Sequence, residues 1–89
     1  MNVRKIVGLN LKRIRVEQNI TQERLALEAV IDRAYVGRIE RGLENVTLDR
    51  LETLAGVLKV PVSALFEAVQ RKTPVDGLRA GRKPMKKPR

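Results

Sequence analysis

The chain has no cysteine and no histidine in its 89 residues, and these two absences remove a large part of protein chemistry. Without Cys there are no disulfides and no thiol nucleophile; without His there is no imidazole to move protons near neutral pH, and the common zinc ligand sets are lost as well. A reducing intracellular setting is compatible with this. The aromatic residues are Tyr35 and Phe66 alone, too few for the stacked platform on which proteins hold single-stranded RNA or DNA. The carboxylates are scattered, with no Gly-rich phosphate loop to work beside them, so neither enzymatic activity nor a cofactor or metal is expected. Long hydrophobic runs are also missing. In MNVRKIVGLNLKRIRVEQN charges interrupt every few residues, which leaves no stretch long enough for a signal peptide or a membrane span. A soluble, cytoplasmic protein with no membrane partner is expected.

What is present is basic charge, unevenly placed. The formal net charge is +9, which suits a polyanionic partner. Residues 71–89 hold eight Lys and Arg against Asp76 alone, whereas residues 1–70 hold eleven against nine. The sequence therefore divides into a nearly balanced domain over 1–70 and a basic tail over 71–89. Pro74, Gly77, Gly81, Pro84 and Pro88 punctuate the tail, which has almost nothing apolar to bury, so it is expected to be disordered when free.

Within 1–70 the apolar residues recur at helical spacing. Val3, Ile6, Val7, Leu11 and Ile14 share one face and predict a helix from Val3 to Gln18, ended by Asn19 in a left-handed conformation. Thr21 is a natural N-cap for a second helix that buries Leu25, Ala26 and Ala29. Asp32 is read as the cap of a third, which buries Val36 and Ile39 and closes at Gly42. Thr47 caps a fourth with the stripe Leu48, Leu51, Ala55 and Leu58. A last short helix follows Pro61 and carries Val62, Leu65, Phe66 and Val69. Nothing alternates as a strand would, so the class is all-α.

The segment from Thr21 to Gly42, TQERLALEAVIDRAYVGRIERG, is then two short amphipathic helices joined tightly. The second offers Arg33, Ala34, Gly37 and Arg38 on the face opposite its core stripe. Guanidinium groups set among small neighbours can approach a major groove closely and place bidentate donors on guanine edges.

VGLNLKRIR (Val7 to Arg15), ITQERLA (Ile20 to Ala26), IDRAYVGRIERG (Ile31 to Gly42), TLDRLETLAGVL (Thr47 to Leu58) and VPVSALF (Val60 to Phe66) together resemble, in one unbroken register, the helix-turn-helix domain of the lambda-repressor and Cro-like regulators. DRAYVGRIERG in particular resembles the controller proteins of restriction-modification systems. The resemblance implies a five-helix DNA-binding domain and a transcriptional regulator that binds a pseudo-palindromic site on double-stranded DNA. It assigns Arg33 to base contact and Arg38 either to a base or to a phosphate. Ala34 would meet a thymine methyl, and Gly37 would give clearance where many relatives carry Ser. Gln22 would contact phosphate and brace the recognition helix. Tyr35 and Arg41 would be phosphate contacts or partly buried braces. Asn45 would meet phosphate from a loop in which Glu44 stands where many relatives carry a basic residue. Arg15 and Glu40 would form a buried ion pair.

Two departures from the family pattern stand out. Val30 occupies a turn position that commonly holds left-handed Gly, so either the connection has another geometry or it costs stability. Leu9 and Val16 lie opposite the core stripe of the first helix. Discrimination by one reading helix is poor, and a homodimer is expected, paired through Val62, Leu65 and Val69, with Phe66 completing the monomer core. The alternative is an antitoxin that autorepresses through the same domain and binds a toxin, a protein partner, through its tail.

Overall fold

Asn2 starts the first helix, its side-chain oxygen accepting a bond from the Lys5 amide at 2.9 Å. The computed structural model describes residues 2–69; the basic tail over 71–89 lies outside the described residues. Four α-helices follow one another: α1 (Val3–Glu17), α2 (Gln22–Ala29), α3 (Arg33–Glu40) and α4 (Leu48–Leu58). Thr21 and Thr47 cap α2 and α4, their side chains accepting from the amides of Arg24 and Arg50. Asp32 stands at the N-cap of α3 but its side chain makes no capping bond. There the main chain alone starts the helix, through Asp32 O accepting from the Tyr35 and Val36 amides.

All four helices stop in the same way. Asn19, Val30, Gly42 and Lys59 have φ between 58° and 76°, and the residue after each sends its amide back to the helix. Ile20 bonds Arg15 O, Ile31 bonds Ala26 O, Leu43 bonds Arg38 O and Val60 bonds Ala55 O, at 2.9–3.1 Å. This is the Schellman arrangement, in which a left-handed residue lets the chain turn back and satisfy a carbonyl that the helix leaves open. Ile20, Ile31 and Val60 also lay their side chains on the core. Val30 therefore takes the left-handed geometry despite its β-branch, and carries that strain.

The final segment, expected as a last short helix reaching Val69, is shorter and is not an α-helix. Val62–Phe66 is a single 3-10 turn. Its length is not the only reason: buried Asn10 of α1 donates from Nδ2 to the carbonyls of Leu65 (3.0 Å) and Glu67 (2.9 Å). These are carbonyls that a continuing helix would use internally, and Glu67 is already extended. Residues three apart in a 3-10 turn share a face, so Val62 and Leu65 turn inward together and Phe66 turns out. Leu65 is 0% exposed and Phe66 43%, the reverse of the expected division of roles. Leu65 belongs to the monomer core and cannot serve as a dimer contact.

The core is built from Leu11 and Ile14 of α1, Leu25 of α2, Val36 and Ile39 of α3, and Leu51, Leu54 and Leu58 of α4. Gly8 sets how α1 meets α3. A Cβ there would lie 2.3 Å from Ile39 O and 2.9 Å from Glu40 O, so the two helices touch main chain to main chain.

Candidate nucleic-acid interface

α2 and α3 form a two-helix unit whose connection is the strained turn at Val30. α3 is anchored on its inner side by Val36 and Ile39, both almost fully buried, and at its C-terminal end by charge. The Arg15 guanidinium donates to Glu40 twice, Nε to Oε2 at 2.6 Å and Nη2 to Oε1 at 3.0 Å. Its remaining Nη1 donates to Ile20 O at 2.8 Å. Gln22 Nε2 donates to the same Glu40 Oε1 at 2.9 Å. One carboxylate thus ties α1, α2 and α3 together. The ion-paired side chains are 11% and 3% exposed, so water screens the pair little, and the bidentate bonds offset the cost of burying two charges only while both partners are present.

On the outer side of α3, Arg33 and Ala34 are exposed, as a base-reading position requires. Gly37 is buried, not on the open face. The space above it is taken by Arg41 and Gln22: a Cβ built there would lie 3.5 Å from Arg41 Nη1 and 3.9 Å from Gln22 Oε1. These are ordinary contact distances, so the position has room for a methyl. Gln22 is half-buried and engaged with Glu40, the bracing half of the role expected of it. Asn45 and Arg41 are exposed beside the C-terminal end of α3.

Arg38 is held in place. Its Nε donates to Glu44 Oε2 at 2.6 Å, and its guanidinium lies 5.7 Å from the Tyr35 ring centroid. Arg50 of α4 lies 5.1 Å from the centroid of the same ring. Tyr35 is half-buried against the core, so it supports the two cations from a fixed base. Sequence reasoning passed over Arg50 and Asn10. Neither carries a local signal, because each matters through a partner distant in the chain or on another element.

A short, tightly braced pair of helices with an arginine-bearing outer face defines the class: a helix-turn-helix protein of the DNA-binding kind. The comparisons with known proteins agree. The family model described as helix-turn-helix matches residues 11–65, and the chain belongs to this family, among regulators that include restriction-modification controller proteins. Control protein C.BamHI of Bacillus amyloliquefaciens is 37% identical over 67 residues, covering 74% of this chain and 83% of that protein. The solved controller protein C.AhdI of Aeromonas hydrophila superposes with a TM-score of 0.69 at 36% identity, over 71% of this chain and 96% of that one. Controller protein C.Esp1396I, solved as a tetramer in complex with its natural 35-base-pair operator, superposes at 0.67 with 35% identity, over 74% of this chain and 87% of that one. The expected resemblance to lambda-repressor and Cro-like regulators is met. No helix among the described residues is long and apolar enough to cross a membrane.

Proposed function

We propose that the protein is a sequence-specific, cytoplasmic transcriptional regulator of the controller or repressor type. It binds a pseudo-palindromic operator as a homodimer, with α3 of each subunit in the major groove. The observation that carries this reading is the pairing of an exposed Arg33 and Ala34 in the first turn of α3 with the Arg15–Glu40–Gln22 lock that fixes its C-terminal end. A reading helix needs its outer side chains free and its axis fixed, and both conditions hold here.

In this mechanism Arg33 selects a base, Ala34 lies against a thymine methyl, and Arg41, Asn45 and the first-turn amides of α2 meet phosphates. Regulation follows from occupancy of the operator. With Leu65 inside the core, the dimer is built from the apolar side chains that remain outside it. Phe66, Leu48 and Val3 are exposed around a groove floored by Val7 and Leu51. A second copy of the chain is the occupant that would cover this groove, consistent with the multimeric state in which C.Esp1396I meets its operator. Val62 and Val69 are half-buried and contribute at the margin. The antitoxin alternative gains no support from these relatives.

The test is selection of bound duplexes from a random pool, followed by competition against scrambled duplex at physiological salt. An enriched two-fold-symmetric sequence is expected, bound at least about a thousandfold more tightly than random DNA. Equal binding of selected and scrambled duplexes overturns the proposal.

A further inference from the structure

We propose that Glu44 is a specificity-determining positioning residue: through its bond to Arg38 Nε it directs Arg38 to a neutral base acceptor and away from phosphate. The inference rests on the DNA-binding reading above and deepens it at one position. Arg38 and Glu44 are partly exposed, their side chains at 42% and 25%. A pair this open to water adds little to the stability of the fold, so its effect is to be sought in what Arg38 can bind.

Two consequences follow from the geometry. With Nε bonded to Glu44, the donors left to Arg38 are its two Nη groups, which make no hydrogen bond among the described residues. Those two groups suffice for end-on, bidentate contact with guanine O6 and N7. The Tyr35 ring at 5.7 Å restrains the same guanidinium from another direction, so part of its freedom is lost before DNA arrives and is not lost again on binding.

The second consequence is electrostatic. The pair carries no net charge, and an anion drawn to Arg38 would also meet the Glu44 carboxylate at short range. A phosphate is repelled there, whereas guanine O6 and N7 are neutral acceptors and are not. An arginine backed by a carboxylate therefore keeps its directional donors but loses its general attraction to the DNA backbone. Such an arginine contributes to discrimination more than to affinity.

The experiment measures binding to the selected duplex and to a scrambled one across a salt series, for the parent, Glu44→Gln, Arg38→Ala and the double variant, after melting shows each to be folded. Glu44→Gln is expected to tighten scrambled-duplex binding several-fold, to steepen the salt slope by up to about 0.9 as Arg38 gains a phosphate, and to lower the ratio of selected to scrambled affinity. Arg38→Ala lowers that ratio by roughly 5- to 150-fold, and adding Glu44→Gln to it lowers the ratio no further. A discriminating parent whose ratio is unchanged or raised by Glu44→Gln overturns this inference alone. So does a ratio that Glu44→Gln lowers equally with and without Arg38. A parent that cannot tell the duplexes apart overturns the function proposed above, and this inference with it.

Discussion

Val30 carries backbone strain that its own side chain does nothing to offset. Its φ of 58° is left-handed and its side chain is 87% exposed, so the β-branch adds crowding without adding burial. Val30→Gly should therefore stabilise the protein, by about 1–2 kcal/mol, less whatever the added freedom of the unfolded chain takes back. A rise of several degrees in Tm is the expected result of a thermal melt. Gly37 offers the opposite substitution. It sits inside α3 with room for a methyl, and Gly within a helix costs about 0.5–1 kcal/mol relative to Ala. Gly37→Ala should raise Tm and leave operator affinity close to that of the parent, because the new methyl would face Arg41 and Gln22. A Tm that falls would show that the space above Gly37 cannot accept it.

At the scale of helices, the Arg15–Glu40 pair and the Gly8 contact make separable predictions. Removing Arg15 leaves a Glu40 carboxylate that is almost fully buried with its main partner gone, at a cost of about 3–5 kcal/mol. Arg15→Ala should lower Tm strongly and lose DNA binding through unfolding. Arg33→Ala should melt like the parent and lose binding all the same. Gly8→Ala should destabilise by about 1–3 kcal/mol, since the methyl meets main-chain oxygens that cannot swing aside. These same elements show what was legible in the sequence. Helical spacing of apolar residues and the Thr21 and Thr47 caps placed four helices closely, because both are local signals. Asn19 and Gly42 announced their turns by residue type. Lys59 did not, since nothing about a lysine marks a left-handed stop and only the half-buried Val60 after it explains the turn. The fifth element was misread for a related reason. Its shape is decided by Asn10, more than fifty residues earlier in the chain, and a capture of carbonyls across that separation leaves no trace in the local pattern. The exchange of roles between Leu65 and Phe66 follows from that one difference in helix type.

For the whole molecule, the division of charge between residues 1–70 and the tail over 71–89 has a measurable consequence. Each phosphate contact contributes about 0.9 to the slope of log affinity against log salt. Removing residues 71–89 should lower that slope and weaken selected and random DNA alike, leaving their ratio nearly unchanged. An unaltered slope would place the tail away from the DNA. The assembly can be checked separately: Phe66→Glu should shift the protein toward monomer in sedimentation while leaving α3 intact. The contact at Gly8 bears on a different matter. Because α3 rests there on bare backbone, its seat does not depend on which letters occupy its outer positions. Under the proposed reading, residues 33 and 34 are thus exchangeable teeth on a fixed handle, and substitutions there would retarget a descendant of this chain to a new operator with no refitting of the body behind them, whereas residue 38 would bring Glu44 and Tyr35 with it.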